Sequence, residues 1–150
     1  MIVGRSDVGR LPSGVAFHHV GFATTSIESE FDFFSALGYR QENNSFSDPI
    51  QGVKGVFVVG GGPRIELLEN LPNRTTLTPW LNGGVKIYHY AYIVDDIAAC
   101  LSWIAERGGK VVVPPVSAVA FPGRKICFAR FRRGVMLEFI EKNISCEISA

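Results

Sequence analysis

The chain has 150 residues, which suits one compact domain, and 47% of them are hydrophobic whereas only 19% are charged. That composition excludes an intrinsically disordered chain, which is poor in apolar residues and rich in net charge. Fifteen basic and fourteen acidic residues leave a formal net charge of +1, so we expect no nucleic-acid partner. No run approaches 18 apolar residues, and we expect no association with a membrane. Three widely spaced cysteines predict reduced thiols in a cytoplasmic protein.

The first patterned segment begins after residue 14. Residues 1–14 contain three glycines, one proline and two arginines without a clear period, and this composition predicts a flexible N-terminal tail before a single domain at 15–150. Residues 17–23 are aromatic or apolar and predict a strand. Hydroxyl side chains at 24–26 then predict a helix start. The helix has an apolar face of Ile27, Phe31, Phe34 and Leu37 and is predicted to end at Gly38.

The same pattern returns 70 residues later. His19 and His89, Ile27 and Ile97, and Gly38 and Gly108 are each separated by 70 positions. Residues 56–59 match 126–129 at the same offset, whereas the last strands, at 65–67 and 137–139, are 72 apart because the second hairpin is longer. We therefore predict two copies of a β-α-β-β-β unit, at about 15–70 and 86–141, joined by a connector rich in Pro, Asn and Thr.

Paired modules of this kind, with His on the first strand and Glu on the last, resemble the vicinal oxygen chelate superfamily. That superfamily includes glyoxalase I, methylmalonyl-CoA epimerase, extradiol dioxygenases and bleomycin-resistance proteins, and the epimerase branch is the most similar. The segments that carry the resemblance are residues 18–23, 51–54, 65–69, 89–97 and 134–139. The resemblance implies an α+β fold in which the two modules form an open, U-shaped cup of β-sheet. It also implies a homodimer.

The resemblance further implies a divalent metal ion at the base of the cup, held by His19, Glu66, His89 and Glu138. The repeat supports this set, because His matches His and Glu matches Glu between the two copies. Imidazole and carboxylate ligands suit ions of the Mn to Zn series. Only His19 lies 70 positions from His89, and neighbouring strand residues point to opposite faces, so we expect His18 to face away from the cup.

The chemistry implied is a metal-dependent lyase or isomerase of the glyoxalase or methylmalonyl-CoA epimerase type. Co, Ni, Mn or Zn would act as a Lewis acid on a small carbonyl or acyl-thioester substrate. A carboxylate beside the metal would remove a proton from the carbon next to the carbonyl group. Glu138 is the predicted base and Glu66 the second base on the opposite face.

Two other functions remain open from the sequence. An extradiol dioxygenase needs two His and one Glu, which His19, His89 and Glu138 supply, but Glu66 would then occupy a position needed for oxygen or catechol. A metal-free antibiotic-binding protein of the bleomycin-resistance type would usually lack the four ligands. The orientation of Glu66 therefore separates a proton-transfer enzyme from an oxygenase.

A basic segment near the last hairpin is a secondary feature. It is either an anion site for a substrate carboxylate or phosphate or an ordinary solvated hairpin. Its members are Arg124, Lys125, Arg130, Arg132 and Arg133.

Overall fold

The computed structural model describes residue 11, residues 14–132 and residues 134–143. Of the predicted tail at 1–14, only residues 11 and 14 are among the described residues. Cys146 lies outside them. Within them, no helix is long and apolar enough to span a bilayer. The elements, in chain order, are β1 (Ala16–Ala23), α1 (Ile27–Ala36), β2 (Arg40–Gln41), β3 (Phe46–Asp48), β4 (Val53–Val59), β5 (Ile65–Asn70), α2 (Thr78–Asn82), β6 (Ile87–Val94), α3 (Ile97–Glu106), β7 (Lys110–Ser117), β8 (Lys125–Arg130) and β9 (Met136–Glu141).

The two long helices begin with equivalent caps. The Ser26 hydroxyl accepts a hydrogen bond from the Ser29 backbone N–H, and the Asp96 carboxylate accepts one from the Ala99 N–H. These side chains satisfy free N–H groups of the first turn. Glycines follow the helices at 38 and 108 with φ of 96° and 70°, a conformation that favours glycine. The predicted starts and ends of both helices are therefore confirmed.

All strands belong to one open, mixed sheet with the order β2-β4-β5-β1-β6-β9-β8-β7, and β3 also pairs with β4. In each module the first and last strands are parallel, β1 with β5 and β6 with β9. The modules join where β1 pairs with β6 in antiparallel orientation. The predicted α+β fold of two modules in an open sheet is confirmed. Because the two first strands are central, the residues they carry meet in the middle of the sheet.

The helices cover the sheet through buried residues of the predicted faces. Phe34 of α1 and Ile104 of α3 are buried in separate apolar clusters, one for each module. One position of the predicted α1 face is wrong. Leu37 is 55% exposed, because the helix ends at Ala36 and Leu37 is its C-cap residue. Phe33 of the same helix is also exposed, at 60%. The homodimer stays a prediction, and so does the cytoplasmic location.

In each module, one aromatic ring packs between the segment that follows the long helix and the hairpin before the last strand. The ring belongs to the first of these segments in one module and to the hairpin in the other. In the first module, Tyr39 follows α1, and its hydroxyl donates to the Pro63 carbonyl at 2.7 Å. A Cβ added at Gly61, on the hairpin beside it, would lie 2.3 Å from the Tyr39 ring. In the second module the residue types are exchanged. Gly109 follows α3, and a Cβ added there would lie 2.6 Å from the ring of Phe131 on the hairpin.

Candidate metal centre

The sheet register explains why two His and two Glu side chains meet. Gly21 of β1 pairs with Glu66 of β5 on one side and with His89 of β6 on the other. Ala91 of β6 pairs with His19 of β1 and with Glu138 of β9. Residues opposite each other in a sheet point to the same face. Each row therefore has a small residue between a histidine and a glutamate, which gives their side chains space to converge.

The four predicted ligands lie within contact distance in a buried site. The Nε2 atoms of His19 and His89 are 3.0 Å apart, and each lies 3.4 Å from Glu66 Oε1. Glu138 places Oε1 at 3.6 Å from His19 Nε2 and Oε2 at 4.0 Å from His89 Nε2. Ligand atoms of His19, Glu66 and His89 all lie within 4.8 Å of one another. The structure thus brings all four together, with Glu138 slightly farther out than the other three.

The donor set fits a divalent cation of the Mn to Zn series. Glu138 Oε1 is buried and has no hydrogen-bond partner among the described residues. Burying an ionised carboxylate without a partner costs roughly several kcal/mol or more, unless the carboxylate is paired with a cation or coordinates a metal. Two imidazoles and two carboxylates are ligands that these ions favour. His19, Glu66, His89 and Glu138 would hold the ion.

The two carboxylates differ in their acidity. Burial acts to raise the pKa of Glu66, but the charge of His19 and hydrogen bonds with His19 and His89 outweigh it and lower the pKa to about 2. Burial, then the charges of Glu66 and Asp48, raise the pKa of Glu138 well above its ordinary value. Burial also lowers the pKa of His89 and favours the neutral imidazole that binds metals. Glu138 is therefore the more basic carboxylate of the pair.

The expected orientation of His18 is wrong. The pairing of β1 with β6 shifts by one residue between Phe17 and His19, so His18 is the extra residue of a β-bulge. A bulge re-aims a side chain that simple alternation would send to the other face. The rings of His18 and His19 both pack against Phe57 and Phe121. Burial lowers the pKa of His18 to about 4, with a smaller contribution from the charge of His19.

A cavity with about 430 Å³ of empty space, part of it open to solvent, borders the ligand cluster and has mainly apolar walls. Asp48 lines it and is a buried carboxylate that the sequence analysis missed. Its Oδ1 accepts a hydrogen bond from the Gln51 N–H at 3.0 Å, which orients the carboxylate at the end of β3. The aromatic residues of the wall are Phe46, Tyr88, Phe121 and Phe128. The apolar walls can shield a small substrate from water, and the cavity holds a third carboxylate, Asp48, together with Glu66 and Glu138.

Asp48 has no counterpart in the second module, where the residue 70 positions later is Ala118. A comparison of the two copies therefore does not detect it. The local signal is a single acidic residue at the end of the short strand β3, followed by Pro49 and the turn at Gly52.

The basic residues near the last hairpin do not form one cluster. Arg124 and Lys125 lie at the start of β8, whereas Arg130 ends this strand and Arg132 follows it. The six residues of β8 separate the two groups by roughly 17–20 Å, from the ordinary rise per residue of a strand. Arg133 lies outside the described residues. The four described residues therefore do not lie together, and the binding of a substrate anion by either group stays a prediction.

Metal binding is expected to stabilise the protein more at pH 8 than at pH 5.5. Without metal, the raised pKa of Glu138 means that the folded state holds a proton that the unfolded state loses above about 4.5. This contribution to the free energy of unfolding is present below that pH and is lost as the pH rises toward the raised pKa. A metal displaces the proton more easily at high pH. Thermal unfolding with and without Co(II) or Zn(II) measures the difference. It should be smaller in Glu138→Gln, where only the histidine ligands still have to lose protons. An equal shift at both pH values in the wild-type protein contradicts the prediction.

Comparisons with known proteins agree with this architecture. The family model for the Glyoxalase/Bleomycin resistance protein/Dioxygenase superfamily matches residues 18–128. A mitochondrial methylmalonyl-CoA epimerase from Dictyostelium discoideum is 23% identical over 145 residues, covering 94% of this chain and 83% of the relative. The structure of a hypothetical protein from Bacillus halodurans C-125 has a TM-score of 0.75 and 30% identity, covering 87% of this chain and 96% of that one. The methylmalonyl-CoA epimerase from Mycobacterium tuberculosis has a TM-score of 0.71 at 19% identity, covering 88% and 91%, which shows a shared fold.

Proposed function

Because the chain belongs to the Glyoxalase/Bleomycin resistance protein/Dioxygenase superfamily, we propose that it is a divalent-metal-dependent epimerase that moves a proton next to a carbonyl group. The substrate class that we favour is an acyl-CoA thioester such as methylmalonyl-CoA. The epimerase relatives support this choice, since they resemble the chain along most of its length.

One observation carries the proposal: the buried Glu138 carboxylate, with its raised pKa, lines a mainly apolar cavity beside two imidazoles. A general base works best when its pKa lies near the working pH. An ordinary glutamate is too weak a base for a carbon acid. In the metal-free site, burial and the nearby Glu66 charge raise the pKa of Glu138, which is the direction that a base for a carbon acid needs.

A metal held by His19, Glu66, His89 and Glu138 would supply Lewis-acid stabilisation of the negative charge that develops on the substrate carbonyl oxygen. The chain itself moves the proton and shapes the cavity. We assign Glu66 to holding the ion, because its Oε1 lies 3.4 Å from the Nε2 atoms of both imidazoles, closer to each than the Glu138 oxygens, which lie 3.6 and 4.0 Å away.

Epimerisation requires proton return on the face opposite to removal. Glu138 on β9 takes the proton from carbon at one wall of the cavity. Asp48 lies at the end of β3, in the first module, and lines the same cavity. We therefore prefer Asp48 to Glu66 as the second acid/base group. The apolar walls keep bulk water from the deprotonated carbon during a turnover, so Asp48 returns the proton. The Asp48 carboxyl group exchanges its proton with solvent between turnovers, and in deuterated water it therefore delivers deuterium.

The position of Glu66 favours proton transfer over dioxygen chemistry. Its carboxylate faces both imidazoles and does not turn away from the cluster. With four protein ligands, a six-coordinate ion keeps about two open positions. Those suffice for a chelating substrate but not for a catechol and dioxygen together.

The test is exchange of the substrate α-hydrogen in deuterated water. We expect metal-loaded protein to incorporate deuterium into methylmalonyl-CoA, and chelator-treated protein to lose this activity until Co(II), Ni(II), Mn(II) or Zn(II) is restored. The hemithioacetal of methylglyoxal tests the glyoxalase reaction in parallel. Exchange with the hemithioacetal alone would assign the site to a glyoxalase. Oxygen uptake with Fe(II) and a catechol would overturn the proposal.

A further inference from the structure

The ring of His18 contacts His19 at the nitrogen opposite the candidate metal site. The Nδ1 atoms of the two rings lie 2.8 Å apart, which is hydrogen-bond distance. The other nitrogen of His19, Nε2, faces Glu66 and Glu138 at 3.4 and 3.6 Å. We propose that His18 is a positioning residue, which accepts a hydrogen bond from His19 and so fixes the tautomer that binds metal. This inference rests on the metal site of the proposed function.

The direction of the hydrogen bond follows from the chemistry of imidazole. A histidine that binds a metal through Nε2 must offer a lone pair there, so its proton is on Nδ1. His19 Nδ1–H then donates, and His18 Nδ1 must accept. His18 in turn carries its own proton on Nε2. Outer partners of this kind orient a metal-binding ring and usually are carboxylates, backbone carbonyls or water.

Several contacts hold His18 in this position. The register shift in β1 leaves it as the bulged residue, and its backbone carbonyl accepts a hydrogen bond from Arg64 Nη1 at 3.1 Å. Arg64 also forms a two-pronged ion pair with Glu42. The His18 ring lies edge-on to Phe57 and Phe121, with ring centroids 5.8 and 5.3 Å away. The ring therefore has little freedom to leave His19.

The second module provides an internal comparison. Tyr88 precedes His89 as His18 precedes His19, and a register shift between Gly21 and Phe22 makes Tyr88 the extra residue of β6. The Tyr88 and His89 rings are 5.0 Å apart, yet His89 Nδ1 is buried and has no hydrogen-bond partner in the described chain. The two imidazoles of the site are thus supported differently. His18 is the feature that distinguishes them.

Two substitutions separate hydrogen bonding from packing. His18→Asn keeps an acceptor oxygen near the position of Nδ1, whereas His18→Leu has none. We expect the Zn(II) dissociation constant to rise about 10- to 100-fold in His18→Leu, the range for lost outer partners. The His18→Asn variant should remain near the wild-type value. If His18→Leu does not fold, His18→Gln replaces it, because its amide reaches the Nε2 position and leaves Nδ1 unreplaced.

The tautomer itself is read in metal-free protein by long-range ¹H–¹⁵N correlation of the ring nitrogens. Only three histidines are present, so removal of His18 leaves two to assign. We expect His19 to carry its proton on Nδ1 in wild type and His18→Asn, and to lose that preference in His18→Leu. An unchanged His19 tautomer in folded His18→Leu overturns the inference, and so does an equal loss of affinity in the Asn and Leu variants. If wild type binds no divalent ion, the metal site of the proposed function fails, and the tautomer measurement alone decides the role of His18.

Discussion

Replacing Glu138 with glutamine is expected to reduce α-proton exchange by about 10² to 10⁴, the usual loss when a general base is removed. The amide keeps the size and shape of the side chain but does not accept a proton from carbon. The substitution also removes a buried carboxylate with a raised pKa, so the fold should be at least as stable as wild type without metal. Deuterium incorporation by mass spectrometry measures the rate, and urea unfolding measures the stability.

Glu141→Gln is the matched control. It makes the same change on the same strand, at a residue that accepts a hydrogen bond from the Lys125 N–H and does not line the cavity. We expect exchange near the wild-type rate. Glu138 is proposed to act both as a metal ligand and as the base. Metal titrations of each variant show whether a loss of exchange comes from a loss of metal or from a loss of the base. If Glu138→Gln binds metal normally and still exchanges at the wild-type rate, Glu138 is not the base.

Gly21→Ala is expected to disrupt the metal site although the residue has no side chain to contribute. An added Cβ would lie 2.3 Å from His89 Cε1 and 2.5 Å from its Nδ1, so the ring must move. The His89 ring is buried among close-packed neighbours, which makes movement costly. We expect a Zn(II) dissociation constant on the order of 100-fold higher, from calorimetric titration, because a displaced ligand loses at least as much as a displaced outer partner.

A second glycine shows whether that loss is specific. At Gly134 the nearest atom to an added Cβ is 4.0 Å away, and alanine is accommodated there. Gly134→Ala should bind Zn(II) as wild type does. Circular dichroism checks that both variants fold. Wild-type affinity in folded Gly21→Ala would show that the His89 ring moves without cost, contrary to the packing described.

Much of the architecture was predictable because the chain contains two copies of one pattern. The helix caps at Ser26 and Asp96, and the glycines that follow each helix, are local signals repeated at one offset. The pairing of His19 with His89 required no knowledge of the sheet register, since related copies place equivalent residues around a common axis. The small residue two positions after each of these histidines also has a physical reason, as the register shows.

Features that depart from the repeat were not predictable in the same way. Asp48 has no partner in the second module, and its place in the cavity depends on the turn after β3. His18 faces the site because of a bulge, and a bulge is a property of two paired strands that one strand's alternation does not reveal. Leu37 has the spacing of the apolar face of α1, but the helix ends one residue before it, at Ala36. Helical spacing therefore does not predict which way Leu37 points.

The exchanged aromatic positions limit how the two halves of the chain can share sequence. Copying the segment after α1 into the second half would replace Gly109 with a tyrosine that meets Phe131. The reverse copy would replace Tyr39 with a glycine and leave no ring beside Gly61. Overpacking typically costs about 1–3 kcal/mol, and loss of a buried aromatic ring about 3–5 kcal/mol. Only a transfer that carries both segments together avoids these costs. Gene conversion between the halves is therefore disfavoured over tracts short enough to carry only one of these segments.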